Sequence, residues 1–142
     1  MGLAWLEFVE IALKTGRTAM IWEPNGTVTD TSSLGDLRPE EVLFEFEEPL
    51  TFTCRDRDGQ MLLAHNLCAE VKISRYLLVA TDQGIIGGLK AGRLDMQAAL
   101  RQPCCWIVDF GPGWEIQRLW HVPFEEIPTT MLPEANATLA ME

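Results

Sequence analysis

Between Val42 and His121 the chain alternates apolar and polar residues in short runs, the two-residue period of strands whose side chains point to opposite faces in turn. Val42, Phe44 and Phe46 alternate with Leu43, Glu45 and Glu47, giving one apolar face and one partly acidic face, and Pro49 interrupts the run. Leu50, Phe52 and Cys54 alternate with Thr51, Thr53 and Arg55; after Asp56-Arg57-Asp58-Gly59 an apolar run resumes from Met61 to His65. Asp58-Gly59 between two such runs predicts a hairpin, because glycine takes the positive φ that a tight turn requires. Val71 to Ala80 predicts a further strand, and Tyr76 to Ala80 is apolar enough to lie at the centre of a sheet. Cys104, Trp106, Val108 and Phe110 alternate with Cys105, Ile107 and Asp109. Gly111-Pro112-Gly113 then turns the chain into Trp114, Ile116, Arg118 and Trp120, a second hairpin.

A longer period appears elsewhere. Leu3, Leu6, Val9 and Leu13 recur at helical spacing with Gly16 as a stop, which predicts an N-terminal amphipathic helix over Leu3 to Lys14. Ala19 to Trp22 suits a short strand ended by Pro24-Asn25-Gly26, and Thr27 to Pro39 reads as a loop or a weak edge element. Asp82 or Thr81 caps a helix over about 83–91, with Ile85, Ile86 and Leu89 as its apolar positions and Gly92 where a left-handed cap is wanted. Asp95 caps a second helix over about 96–102 that Pro103 stops. Gly84, Gly87, Gly88 and Gly92 match neither a Walker loop nor a dinucleotide fingerprint, so they punctuate helices and no nucleotide is expected there. The fold class is therefore α+β: a mainly antiparallel sheet of two hairpins and a central strand, the short helix pair, and the N-terminal helix.

Length adds a bound: 142 residues, 47% of them hydrophobic, suffice for one core and predict a single domain over 1–142. Within it, 1–41 reads as an acidic extension, 42–132 as the core, and 133–142 as a frayed tail, docked through Phe124, Ile127, Met131 and Leu132 before it. No stretch reaches the roughly 18 apolar residues that a spanning helix needs, so no membrane partner is expected. Glu7 and Glu10 inside the first apolar run argue against a secretory leader and for a cytoplasmic setting. Charge is uneven. Residues 1–48 hold ten acids against three bases, a balance of −7, whereas residues 49–121 hold seven acids against eight bases, a balance of +1. No segment supplies the basic cluster that a nucleic-acid backbone demands.

Cys54, Cys68, Cys104 and Cys105 read as free thiols in a reducing compartment. With His65 and His121 as bases and Asp56, Asp58 or Asp109 to orient them, they could furnish a nucleophilic site, but no nucleophile elbow is present and packing explains buried cysteine equally well. His65-Asn66-Leu67-Cys68 has a compact ligand spacing, yet Cys104 and Cys105, adjacent on a strand, point to opposite faces and cannot share one zinc ion with it. Asp56 to Gly59 lacks the later positions of a calcium loop. No metal, cofactor or catalytic residue is expected. Of the five tryptophans, Trp106 and Trp120 fall mid-strand, while Trp5, Trp22 and Trp114 are candidate partner anchors, beside Glu45 and Glu47; for each tryptophan the plainer reading is core.

The order of Pro49 to Cys54, Asp58 to Ala64, Arg75-Tyr76-Leu77-Leu78-Val79-Ala80, Leu89-Lys90-Ala91-Gly92-Arg93-Leu94-Asp95-Met96-Gln97-Ala98-Ala99-Leu100, Glu126-Ile127-Pro128 and Leu132-Pro133 resembles a bacterial domain family of unknown function. Its members carry "YLVVPVS", "LRSGELDLRDAL" and "IPEEWLPEPG"-like segments in that order. The likeness spans about residues 42–139, departs at Ala80-Thr81, and implies one domain but no activity. The reading that follows is a non-catalytic module that binds another protein, with a homodimer allowed. Two alternatives stand beside it: an acidic nucleic-acid mimic that inhibits a DNA-handling protein, and a Cys/His-dependent hydrolase or transferase.

Overall fold

The computed structural model describes residues 24–25, 27–46, 48–69, 74–128 and 132–133. The expected N-terminal helix, the strand at Ala19 to Trp22, Trp5, Trp22, Glu47, the start of the strand at Val71, and the tail beyond Pro133 lie outside the described residues. What is described is mixed α+β, an antiparallel sheet with two helices. Six strands form a meander, β2 (Glu41–Phe46), β3 (Glu48–Arg55), β4 (Met61–Ala69), β5 (Ser74–Ala80), β6 (Cys104–Phe110) and β7 (Ile116–Pro123). A two-residue strand, β1 (Thr27–Val28), adds to the far side of β7, so the order is β1-β7-β6-β5-β4-β3-β2. The run expected to be central, Tyr76 to Ala80, lies in β5, the fourth of the seven.

Two expectations about strands need correction. The sheet contains more than two hairpins, because β2 and β3 also pair tightly, Phe46 with Glu48 and Glu45 with Pro49. Pro49 does not end the strand run: it stands near the start of β3, where a missing amide hydrogen is tolerated. The simple alternation of Val42, Phe44 and Phe46 also fails. Register shifts between Val42 and Phe44 and between Phe44 and Glu45 pair Val42 with Phe52 but Phe44 with Thr51, on opposite faces; on this outer strand Val42 is 41% exposed while Leu43 packs against the core. The Asp58-Gly59 turn behaves as its sequence suggests, with Gly59 at φ 83° and the Asp56 carboxylate accepting from the amides of Asp58 and Gln60 at 2.9 Å each.

Helix α1 (Gln83–Lys90) and helix α2 (Met96–Leu100) stand between β5 and β6. Asp82 caps α1 by accepting from Ile85 N at 2.9 Å, and Gly92, at φ 76°, ends it. The amides of Arg93 and Gly92 bond back to the carbonyls of Gly88 and Leu89, the paired bonds of a Schellman motif. Asp95 caps α2 through Ala98 N at 2.7 Å. The second helix stops two residues short of the expected 102, since Arg101 adopts extended backbone ahead of Gln102-Pro103.

Both faces of the sheet are buried. On one, Leu63, Leu77, Val79, Ile107, Trp120 and Val122 pack under Ile86, Leu89, Met96 and Leu100 of the helices. On the other, Phe52, Leu62, Tyr76, Leu78, Val108 and Phe110 pack with Leu37, which the loop before β2 folds inward. Burying a leucine-sized side chain contributes roughly 1.5–3 kcal/mol, so this two-sided core is the main source of stability. Among the described residues no helix is long and apolar enough to cross a membrane.

Candidate functional site

Strand register brings charged residues together inside the helix-side face. Arg75 on β5 is opposite Asp109 on β6, and Asp109 is opposite Arg118 on β7. Arg75 donates to the Asp109 carboxylate through Nε at 2.6 Å and through a terminal nitrogen at 2.9 Å. Arg118 donates to the same carboxylate at 3.1 Å and 3.0 Å. Arg75 and Asp109 are fully buried, whereas the Arg118 side chain is 45% exposed. Both guanidiniums lie against the Trp120 ring, at 4.9 Å and 5.1 Å from its centroid. A buried carboxylate held by two forked donors acts as a structural clasp across three strands. Asp109, which could have oriented a histidine, is committed to arginines instead.

Cys54, Cys105 and His65 are likewise held in the interior. Burial pushes the Cys54 thiol up to about 12, with Glu40 and Asp56 adding to the rise, so it is not a nucleophile near neutral pH. Cys105 is buried, and its thiol points at the Val122 carbonyl at 3.5 Å. His65 shares a 2.9 Å hydrogen bond with Thr51 across β3 and β4, and desolvation lowers its pKa to about 4. His121 is exposed and stacks beside Trp106, centroids 5.3 Å apart. The side chains of Cys68 and Cys104 lie outside those described. Among the described residues no three His, Cys, Asp or Glu side chains gather as a metal site would require. At the start of α1 the Asp82 carboxylate caps the helix, and a Cβ on Gly88 would meet Leu94 Cβ at 3.3 Å, whereas Gly87 faces open space.

Of the expected partner anchors, Trp114 and Glu45 fall within the described residues. Trp114 does not continue the strand alternation: it ends a 3₁₀ turn (Pro112–Trp114) with φ at 68°, a left-handed conformation uncommon for a bulky residue. Three rings prop it there, Phe110 at 5.1 Å, Phe52 at 5.3 Å and Tyr76 at 6.0 Å between centroids. The Trp114 side chain stays half-buried, at the rim of that aromatic cluster. Val42 is the cross-strand partner of Phe52, which puts an exposed apolar side chain on the same sheet face. Glu45 is exposed on β2, the outer strand of the sheet.

One feature escaped the sequence. Helix α2, the residues after it, the 3₁₀ turn Phe124–Glu126 and Leu132 together border an open groove of about 500 Å³. Phe124, Ile127 and Leu132 give it an apolar lining, and Gln97, Arg101, Gln102 and Glu125 give it a polar one. The partial signal was Pro103, ahead of which Arg101 leaves the helix in extended backbone. No protein-family model, curated protein or solved structure matches the chain.

Proposed function

We propose that the protein acts by binding another protein, without catalysing a reaction, through the sheet face that carries Trp114 and Val42. The observation behind this reading is Trp114 itself: a half-buried tryptophan held at φ 68° by three neighbouring rings. Strained backbone persists where surrounding structure overdetermines it, and rigid, partly exposed tryptophan is a frequent interface anchor. Exposed Val42 extends the apolar surface, and acidic Glu45 lies on the same strand. A cytoplasmic setting and kinship with the bacterial family of unknown function belong to the same proposal. They rest on Glu7 and Glu10 within the first apolar run and on the quoted segments. The nucleic-acid mimic is less well supported, because exposed Asp36, Glu40 and Glu41 each pair with a base, Arg38, Arg55 and Lys90. The hydrolase reading is weakened by the inert Cys54 and the enclosed His65.

A photo-cross-linking amino acid placed at Val42, with one at Arg93 as control, tests the reading in extracts of the native host. The expected result is a discrete adduct at position 42 alone that survives high salt and disappears with Trp114→Ala while the melting temperature stays within a few degrees. An adduct joining two copies of the chain identifies the partner as a homodimer. Adducts indifferent to Trp114→Ala, or lost steeply as salt rises, would contradict a tryptophan-anchored contact and favour electrostatic mimicry.

A further inference from the structure

We infer that the groove beside α2 binds a small carboxylic acid with a compact apolar body. Its place on the helix side of the sheet, away from Trp114, makes the inference independent of the reading above. The argument begins with pairing. In a chain with 21 acids and 11 bases, most described bases have a carboxylate within reach: Arg38, Arg55, Arg75, Lys90 and Arg118 all do. Arg101 does not. Its guanidinium lies over the Phe124 ring, 5.4 Å from the centroid, a stacking that fixes its plane and leaves its edge donors without an acceptor among the described residues. Gln102, next in sequence and also on the groove wall, is half-buried, and its amide has no hydrogen-bond partner among the described residues. Two adjacent donor groups thus face one cavity whose lining is apolar at Phe124, Ile127 and Leu132.

That combination suits a ligand with two acceptor oxygens at one end and hydrocarbon at the other. A planar guanidinium fork matches a carboxylate, and a volume of about 500 Å³ is within the range of small-molecule sites. Gln97, also on the groove lining, donates to the Pro133 carbonyl at 3.3 Å. Glu125 also borders the groove, and its carboxylate disfavours an anion placed close to it, so the ligand's charged end is expected against Arg101 and Gln102. Titration of the full chain with 3-phenylpropanoate, followed by amide-resolved NMR, tests this. Saturable shifts in the millimolar range are expected at Gln97, Arg101, Gln102 and Phe124. They should weaken at least about tenfold with Arg101→Gln, several-fold with Gln102→Ala, and to a similar degree when 3-phenylpropanamide replaces the acid. The inference is overturned if acid and amide bind alike, if shifts arise elsewhere, or if nothing saturates in a variant-free protein with an intact melting transition. A short peptide with a free C-terminal carboxylate that binds where 3-phenylpropanoate does not would overturn it in favour of a peptide site.

Discussion

Asp109 shows how much one side chain can hold. It is fully buried and accepts from two arginines drawn from flanking strands, so its removal leaves Arg75 charged in the interior with its main acceptor gone. Asp109→Ala should cost about 3–5 kcal/mol in urea unfolding, while Asp36→Ala, which breaks an ion pair exposed on both sides, should change stability by less than about 0.5 kcal/mol. Equal effects would mean that the clasp is not the structural element inferred. His65 gives a pH signature. Its folded pKa is about 4 against an ordinary 6.5, so above pH 6.5 both states are neutral and the group adds no pH dependence. Between 6.5 and 4 the unfolded chain takes a proton that the folded chain refuses. Stability therefore falls with falling pH, by at most about 3 kcal/mol at pH 4. The same titration on His65→Gln should lose that part of the slope; an unchanged slope would place the imidazole in contact with water.

At the scale of elements, the local punctuation was legible because it obeys backbone rules that need no distant partner. Gly92 and Gly59 hold positive φ, and Asp82 and Asp95 cap their helices, as their positions imply. Gly92→Ala should destabilise by about 1 kcal/mol, since its φ of 76° admits a Cβ poorly, and Asp95→Ala by a similar amount through the lost cap. Thermal unfolding of both variants checks this; if Gly92→Ala is neutral, the left-handed cap is not what ends α1. Less legible were features set by pairing. The bulges in β2 break its alternation, pairing Val42 with Phe52 but Phe44 with Thr51 on the other face, and nothing in Val42-Leu43-Phe44 announces them. Arg75, Asp109 and Arg118 are 34 and 9 residues apart in their contacts and meet only through register. Trp114 reads as a strand residue until the turn's geometry is known. The groove gathers side chains from four separate stretches, so composition could name its apolar lining but not its polar rim.

For the molecule as a whole, the two-sided core explains where the reactive residue types went. A sheet covered on both faces must fill both sets of alternating positions, and Cys54, Cys105, Thr51, His65 and Asp109 fill them. Among the described residues the surface keeps a propped tryptophan, two exposed valines, Val28 and Val42, the exposed His121 and an arginine-rimmed groove. The most direct measurement is the rate at which Cys54 and Cys105 of the folded protein are alkylated by iodoacetamide, resolved peptide by peptide by mass spectrometry. With the Cys54 thiol pushed up to about 12 and both sulfurs enclosed, labelling should be orders of magnitude slower than in the urea-unfolded chain, and should follow global unfolding. Labelling of either residue in the folded state as fast as in the unfolded chain, or faster, would contradict it and restore a cysteine-based activity.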